Sequence, residues 1–261
     1  MDVFNRYCYR VICSGMNLLT LGKWLLTGGP WNTRQSLITH RAFDKILIIG
    51  NGPSALSIDP SQFSECDVLM VNLSHQSELY ASIKPRFHML IDPKVVNGIW
   101  GLEVFDEIKE LNPEVTFVIP RRWVRDDRVR RRVGNSPVVL VDTGLAEGAF
   151  GSGFKRLRAG PLGAGGVVGA AIDLCVKSQF KKIFIVGNEC TGFFHEILDE
   201  DSHFYGTNSE NKLKTIKDRF LDLFFIWIST GNSIYVARKY SRFNVTIVNL
   251  APSTMFPFYS E

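Results

Sequence analysis

Residues 45–54 constrain the fold of this chain more than any other stretch, because an apolar run there ends abruptly in a glycine-rich loop. The β-branched run at 46–49 leads directly into Gly50-Asn51-Gly52-Pro53-Ser54. A buried parallel strand brings its chain to a ligand at its carboxyl end in this way, although the same residues also suit an ordinary strand-to-helix turn. The loop lacks the GxGxxG spacing of a dinucleotide site, so it indicates a nucleotide site but not a nicotinamide one.

Seven short apolar runs predict the strands of one sheet. They lie at residues 46–49, 68–71, 87–91, 115–119, 138–141, 183–186 and 245–248. Segments of helical character separate some of them, notably 167–178 and 213–230. Strands that alternate with helices predict an α/β fold with a doubly wound, mostly parallel, Rossmann-like sheet. A chain of 261 residues, 45% of them hydrophobic, is long enough for one such domain, which we expect to span residues 41–261.

A second glycine-rich stretch, residues 160–166, precedes the predicted helix at 167–178. A helix amino terminus preceded by glycines, here Gly165 and Gly166, suits an anionic group. The strand predicted at 183–186 then ends in Gly187-Asn188-Glu189. Loops that follow parallel strands open at the same edge of a sheet, so the two elements together favour a nucleotide or nucleotide-sugar site over simple turns.

The polar segment at 196–211 follows a predicted strand end and is too long for a simple connection. Segments of this length without their own periodicity often close over a substrate. We therefore predict a lid at about residues 190–212.

The first forty residues differ from the rest and are predicted to form an amphipathic helix and a linker. Apolar residues recur at helical spacing, with Arg6, Arg10, Lys23 and Trp24 among them. Polar residues interrupt the run, which therefore falls short of a membrane span, and the recurring charges do not suit a signal peptide. The pattern suits a helix on a membrane surface, against the domain, or against a second subunit in a homo-oligomer.

Cysteine usage indicates a reducing compartment. The five cysteines are scattered without a CxxC pair, and neither they nor the histidines have metal-ligand spacing. We expect Cys66 and Cys175 to be reduced core residues, and His40, His75 and His88 to be structural. The predicted location is cytoplasmic, with peripheral contact to the inner face of the membrane.

Four blocks of the sequence resemble, in order, the bacterial sialyltransferases of glycosyltransferase family 42. They are residues 48–54, Val71-Asn72, residues 166–187, and Ser202-His203-Phe204-Tyr205-Gly206. The tail at 248–253 resembles the closing strand and loop of the family. The resemblance covers about residues 43–255, its first and fourth blocks are the specific ones, and it implies a variant of the GT-A fold.

The resemblance implies inverting, metal-independent transfer of sialic acid or a related nonulosonic acid from a CMP-sugar donor to a glycan or glycolipid acceptor. It implies that no cofactor is needed, and that the loop Gly50-Asn51-Gly52-Pro53-Ser54 and Asn72 hold the CMP. It also implies that His203 is the general base that takes the proton of the acceptor hydroxyl. Without the resemblance, His203 is better interpreted as a surface or capping histidine.

Three departures from the family pattern concern the donor site. The paired tyrosines that the family uses for the leaving phosphate are absent from residues 187–195. Their candidate replacements for phosphate or acceptor contacts are Tyr205, Thr191 and His195. Asp92 stands where the family tends to carry Asn, which suggests a changed donor contact, and residues 163–166 replace a Ser-Gly pair.

The arginines of residues 121–132 are candidates for binding the acceptor. Arg121, Arg125, Arg128 and Arg132 share one face if this segment is a continuous helix, and an anionic glycolipid or membrane surface would suit that face. A solvated basic face is the simpler interpretation. Aromatic residues do not interleave these arginines in a binding pattern, so a nucleic-acid partner is not expected.

Two other functions remain open from the sequence. One is a diphosphokinase, because archaeal pterin diphosphokinases share the Gly-Asn-Gly-Pro-Ser loop; it would need Mg²⁺ on carboxylates such as Asp92 or Glu189. The other is a non-catalytic nucleotide-binding subunit that tethers a partner through its amino-terminal helix.

Overall fold

The structure, a computed structural model, describes residues 3–28, 37–146, 148–151, 153–154, 160–163, 166–189 and 244–251. The α-helices within these ranges are α1 (Val3–Leu26), α2 (Glu78–Ile83), α3 (Val104–Leu111), α4 (Asp127–Val133) and α5 (Val167–Lys177). The strands are β1 (Lys45–Ile49), β2 (Asp67–Val71), β3 (Phe87–Met89), β4 (Thr116–Pro120), β5 (Val138–Val141), β6 (Thr143–Leu145), β7 (Leu162–Gly163), β8 (Lys182–Val186) and β9 (Thr246–Asn249). Short 3₁₀ helices lie at Pro53–Ser57, Pro60–Phe63, Asn72–Gln76 and Arg121–Arg125.

Seven strands form one parallel sheet in the order β5-β4-β3-β2-β1-β8-β9. All seven correspond to the apolar runs of the sequence, and the predicted doubly wound α/β fold is confirmed. The strand expected at 87–91 is shorter, because β3 ends at Met89. β6 and β7 form a separate two-stranded parallel pair.

Alternate residues of the strands serve two cores on opposite faces of the sheet. Ile46 and Ile48 of β1 pack with α5 on one face, whereas Leu47 and Ile49 pack with α2, α3 and α4 on the other. Successive side chains of a strand point to opposite faces, so a continuous apolar run is what a sheet covered on both faces requires.

The chain reverses its direction of travel across the sheet between β1 and β8. From β1 it runs outward through β2, β3 and β4 to β5, and it then returns to place β8 on the other side of β1. In open α/β sheets ligands bind outside the carboxyl ends of the strands at such a switch point. The loops at 50–54 and 187–189, which we call the switch-point loops, follow these two strands.

One face of α1 packs on the domain, in the region of residues 144–150. Its buried side chains are Tyr9, Cys13, Asn17, Leu21 and Trp24. Asn17 Nδ2 donates to the carbonyls of Ala146 (2.9 Å) and Phe150 (2.8 Å), and Asn17 Oδ1 accepts from Ala146 N–H (2.7 Å). Of the three environments expected for the helix, the structure shows the domain on this face.

The other face of α1 exposes large apolar side chains. Leu18, Leu19, Leu25 and Leu26 are 56%, 70%, 57% and 89% exposed. Among the described helices none is long and apolar enough to cross a membrane.

Two expectations from the sequence are wrong. Arg121, Arg125, Arg128 and Arg132 do not share one helical face, because the segment breaks at Asp126, whose side chain caps α4 by accepting from Arg128 N–H (2.9 Å). Cys66 is not a core residue, since it is only half-buried, whereas Cys175 is buried.

Candidate functional site

The switch-point loops close against each other through their backbones. Gly50 N–H donates to the carbonyl of Val186 (2.8 Å), and Gly52 N–H donates to that of Gly187 (2.8 Å). A Cβ at Gly187 would lie 2.5 Å from the Gly50 carbonyl oxygen, and a Cβ at Gly50 would overlap the Gly187 carbonyl. Gly187 also has a φ of +68°, which side chains rarely adopt. The approach of the two backbones therefore requires glycine at both positions.

Ser54 and Glu189 add side-chain hydrogen bonds between the same loops. Ser54 Oγ accepts from Gly187 N–H (2.9 Å), and Glu189 Oε1 accepts from Ser54 N–H (2.7 Å). Glu189 is 5% exposed, and its Oε2 is buried without a hydrogen-bond partner in the described part of the chain. A Cβ at Gly52 would overlap that oxygen. The protein's own carboxylate thus holds the Ser54 amide, and the loop is shaped before any ligand arrives.

The first turn of α5 lies beside the Gly50 loop. The Val168 side chain is 3.2 Å from where a Cβ at Gly50 would lie. Gly166 precedes α5 with a φ of +114°, and no side chain of the described residues caps this end. The first N–H groups of an α-helix have no partner within the helix and carry the positive end of its dipole. This end of α5 therefore presents donors next to the switch-point loops, as the sequence predicted.

Asn72 follows β2 at the same edge of the sheet. Its φ of +50° is uncommon for a residue other than glycine. The Asn72 carbonyl accepts from His88 Nε2 (2.8 Å), and His88 Nδ1 lies 3.2 Å from the Tyr80 hydroxyl. Asn72 is 9% exposed, and among the described residues its side-chain Oδ1 has no hydrogen-bond partner. The hydrogen bond from His88 thus holds the backbone that carries this amide.

Burial keeps His88 neutral. Loss of solvation, with a smaller effect of the neighbouring His75, lowers the pKa of His88 to about 3. Because Nε2 faces a carbonyl, the neutral ring carries its proton there, and Nδ1 accepts from the Tyr80 hydroxyl. Burial raises the pKa of Tyr80, so that hydroxyl keeps its proton. His75 Nε2 lies 2.9 Å from Glu107, and His75 and His88 are buried, as expected of structural histidines.

Asp92 lies in the loop after β3. It is partly buried, and its Oδ1 accepts from Lys94 N–H (3.0 Å). One carboxylate oxygen therefore shapes the turn, at the edge of the sheet where the switch-point loops lie.

The structure brings most of the predicted site residues to one edge of four neighbouring strands, β3, β2, β1 and β8. These residues are Gly50, Asn51, Gly52, Pro53, Ser54, Asn72, Asp92, Gly166, Gly187 and Asn188. Five others lie outside the described residues: Gly165, Thr191, His195, His203 and Tyr205. The predicted lid and the predicted helix at 213–230 lie outside them as well.

The described residues contain no group of three or more His, Cys, Asp or Glu side chains arranged to hold a metal ion. Asp92 and Glu189, the carboxylates that the diphosphokinase alternative would use, each accept a backbone N–H, Asp92 from Lys94 in its own loop and Glu189 from Ser54 in the Gly50 loop.

Sequence reasoning missed two residues of this edge. Glu189 was considered only as a metal ligand, although it fixes the Gly50 loop, and His88 was expected to be structural without a connection to Asn72. A carboxylate two residues after a strand-end glycine, opposite a second glycine loop, was the available indication for Glu189.

No family model and no curated protein sequence matches the chain. Among solved structures, the chain is similar to the sialyltransferase CstII of Campylobacter jejuni in complex with the substrate analogue CMP-3FNeuAc, with 13% identity, a TM-score of 0.48, and coverage of 83% of this chain and 86% of that chain. It is also similar to CST-II in complex with a trisaccharide acceptor and CMP, with 13% identity, a TM-score of 0.46 and the same coverage. An apo α-2,3-sialyltransferase of Campylobacter jejuni gives 13% identity, a TM-score of 0.43, and coverage of 87% and 84%.

Proposed function

We propose that the protein is a CMP-sugar-dependent glycosyltransferase. It moves sialic acid or a related nonulosonic acid from its CMP donor to a glycan or glycolipid, with inversion and without a metal ion. One observation carries the proposal: the Gly50 loop, Asn72 and the Gly187 loop lie together at the switch point of the sheet, beside the start of α5, which no side chain of the described residues caps. The sequence adds the Ser-His-Phe-Tyr-Gly block that resembles family 42.

The donor site follows from this arrangement. The side-chain amide of Asn72 supplies hydrogen-bonding groups for the cytidine. The N–H groups at the start of α5 favour the negative phosphate. Gly50 and Gly52 bring backbone close to the ligand, while Ser54 and Glu189 keep the loop in shape. The nucleotide is thus bound largely by pre-formed backbone.

The transfer step needs a base and a stable leaving group. His203, in the segment predicted to be a lid, takes the proton from the acceptor hydroxyl as its oxygen bonds to the anomeric carbon. The bond from that carbon to the phosphate breaks, and CMP leaves with the electron pair. Hydrogen bonds stabilise the departing phosphate, so a metal ion is not obligatory.

The proposed nucleotide is tested by thermal shift with CMP, CDP, UDP, GDP and ATP. Binding of CMP stabilises the fold by RT ln(1 + [L]/Kd), about 2.7 kcal/mol at a hundredfold excess over Kd. A shift with UDP or ATP but none with CMP contradicts the proposal. Turnover that requires added Mg²⁺ and stops with a chelator favours the diphosphokinase, whereas CMP binding without turnover favours the non-catalytic subunit.

The proposed base is tested by pairing His203→Ala with His195→Ala. His203→Ala is expected to lower the transfer rate by roughly 10²–10⁴-fold, the range for general base catalysis. CMP affinity is expected to stay near that of the wild type, because the base contacts the acceptor hydroxyl. Near-normal transfer in His203→Ala rejects the assignment, and loss in His195→Ala alone moves the role to that residue.

The exposed face of α1 supports peripheral binding to an anionic membrane surface. Leu18, Leu19, Leu25 and Leu26 are exposed beside Arg10 and Lys23, and α1 contains no acidic residue. Such a helix binds anionic bilayers through apolar burial and charge attraction. The double variant Leu18→Ser/Leu19→Ser is expected to lose sedimentation with phosphatidylglycerol vesicles while staying folded. Unchanged sedimentation contradicts the membrane role and leaves a protein partner.

A further inference from the structure

A second pocket lies well away from the switch-point loops. It is about 280 Å³ in volume and opens between the last turns of α1 and the carboxyl ends of β4 and β5. Parallel strands are spaced about 4.8 Å apart, so β4 and β5 lie about 14–19 Å from β1 along the edge of the sheet. The residues that give this pocket its character are Lys23, Trp24, Arg121, Arg122, Arg125 and Asp142, and we call it the basic pocket.

The basic pocket has a large excess of positive charge. Lys23, Arg121, Arg122 and Arg125 carry four positive charges, and Asp142 is the sole carboxylate among the lining residues that the structure describes. Arg121 Nε pairs with Asp142 Oδ2 at 3.2 Å. Arg122 and Arg125 have no carboxylate partner within the described ranges. Repulsion among such cations is relieved by an anion in the pocket.

Two buried donors on residues that line the pocket have no acceptor among the described residues. The Arg121 side chain is 10% exposed, and its Nη2 is buried without a hydrogen-bond partner in the described part of the chain. The same holds for the indole Nε1 of Trp24, which is 4% exposed. A buried donor without a partner costs free energy, and a charged donor costs more than a neutral one. Both residues line the pocket.

The outer arginines of the same segment show the contrast. Arg128 pairs with Asp126 (2.7 Å), Arg130 pairs with Asp127, and Arg132 pairs with Glu103 (3.1 Å) and Asp106. These arginines are neutralised at the surface. In the basic pocket, by contrast, Arg121 pairs with Asp142, and Arg122 and Arg125 have no carboxylate partner among the described residues.

We propose that the basic pocket binds a phosphate group. Arginine presents a planar fork of donors that matches phosphate oxygens, and a phosphate has enough charge and oxygens for several of them at once. The assignment of this phosphate to the acceptor rests on the proposed function. It makes the acceptor a phosphate-bearing molecule, either a lipid headgroup, which the exposed leucines of α1 next to the pocket would suit, or a soluble phosphate monoester.

The test measures binding without turnover. Glycerol phosphate is titrated by calorimetry, and phosphatidylcholine vesicles with and without phosphatidic acid are tested by sedimentation. Wild-type protein is expected to bind at least one of these probes. The variant Arg122→Gln/Arg125→Gln is expected to weaken that binding at least tenfold, about 1.4 kcal/mol. Both residues are outside the buried core, so this variant remains informative if Arg121→Gln fails to fold.

The matched control is Arg128→Gln/Arg130→Gln, which removes the same charge from paired, exposed arginines outside the pocket. It is expected to bind as the wild type does. If the pocket variant and the control variant weaken probe binding equally, the effect comes from net charge and the proposal is overturned. Failure of both probes to bind the wild-type protein also overturns it. Binding in solution identifies a soluble phosphate, and binding to vesicles alone identifies a headgroup. If CMP raises the melting temperature but neither phosphate probe binds, the phosphate assignment of the basic pocket is rejected and the proposed transferase is not. If a phosphate probe binds but CMP gives no thermal shift, the basic pocket stands and the proposed transferase is rejected.

Discussion

The two ends of the sheet's carboxyl edge are built in opposite ways. At the switch-point loops, hydrogen bonds from the Gly50 and Gly52 backbones to the β8 end and from the Ser54 amide to the Glu189 carboxylate hold the two loops together. At the basic pocket, long cationic side chains surround a space in which Arg121 and Trp24 keep donors without acceptors among the described residues. The first end is shaped in advance and loses little entropy when it binds. The second relies on charge and adapts to the anion it receives.

The largest expected effect comes from breaking the switch-point loops. Gly187→Ala places a Cβ 2.5 Å from the Gly50 carbonyl oxygen at a φ of +68°. Overpacking and left-handed strain add, so the free energy of unfolding is expected to fall by about 3–5 kcal/mol in urea denaturation. Gly98→Ala is the control, since Gly98 also has a positive φ but no atom within 4 Å of its Cβ position. An equal loss in both variants shows that backbone strain, and not the approach of the loops, sets the cost.

The next effect comes from loosening α1 at the other end. Asn17→Ala removes three hydrogen bonds, two buried ones to Ala146 and a partly buried one to Phe150. Backbone groups left without partners make the expected loss about 2–4 kcal/mol in the free energy of unfolding. Because α1 lines the basic pocket, binding of glycerol phosphate is expected to weaken as well, while CMP binding is retained. The exposed neighbour Leu18→Ala is expected to change stability by less than about 0.5 kcal/mol. If Asn17→Ala also loses CMP binding, the switch-point loops and the basic pocket do not bind their ligands independently, contrary to this prediction.

The smallest effect concerns His88, which lies between the two ends. Unfolded His88 binds a proton below about pH 6.5, whereas folded His88 stays neutral down to about pH 3. Between these two pH values the unfolded state binds more protons than the folded state. The contribution of His88 to the free energy of unfolding is therefore complete above about pH 6.5 and is lost as the pH falls below that value. The contribution of this residue is at most about 1.4 kcal/mol per pH unit.

His88→Gln removes the titrating ring but keeps a donor for the Asn72 carbonyl. Urea denaturation at pH 6.5 and 5.5 is expected to show a smaller pH dependence than in the wild type. His75, Tyr80 and Glu107 face the same cluster and are unchanged in both proteins. His40→Gln, at a half-buried position, is the control. If the free energy of unfolding of His88→Gln depends on pH as strongly as that of the wild type, His88 is not the group responsible.

Strand positions were predictable from sequence because both faces of this sheet are covered. Ile46, Leu47, Ile48 and Ile49 are all fully buried, so the strand is apolar at every position and bounded by polar residues. The glycine loops were predictable for a related reason, since only glycine permits the contact between Gly50 and Gly187.

The sequence predictions failed where contacts between distant residues, and not the local sequence pattern, determine the structure. Arginine spacing suggested one helix, but Asp126 caps a new one, and the Asp126-Asp127 pair in the sequence was the available indication. The environment of α1 stayed open because its sequence is apolar on two faces, and only the contacts of Asn17 distinguish them. The role of Glu189 depends on Ser54, a residue far away in the chain, so the carboxylate after the strand-end glycine indicates a role at this edge but does not identify its partner.

The order of the strands also determines when the switch point is completed during synthesis. β1 to β5 are neighbours in the order in which they leave the ribosome, so this half of the sheet assembles through short crossovers. β8 pairs with β1 across a long separation, as in Ile46 with Ile183, and β9 joins only when residues 246–249 have been made. Closing such long loops is slow and leaves the β1 edge open to other chains in the meantime. A nascent chain that ends before Val186 can therefore form at most the five-strand half-sheet, without the strand and loop that face β1 and Gly50.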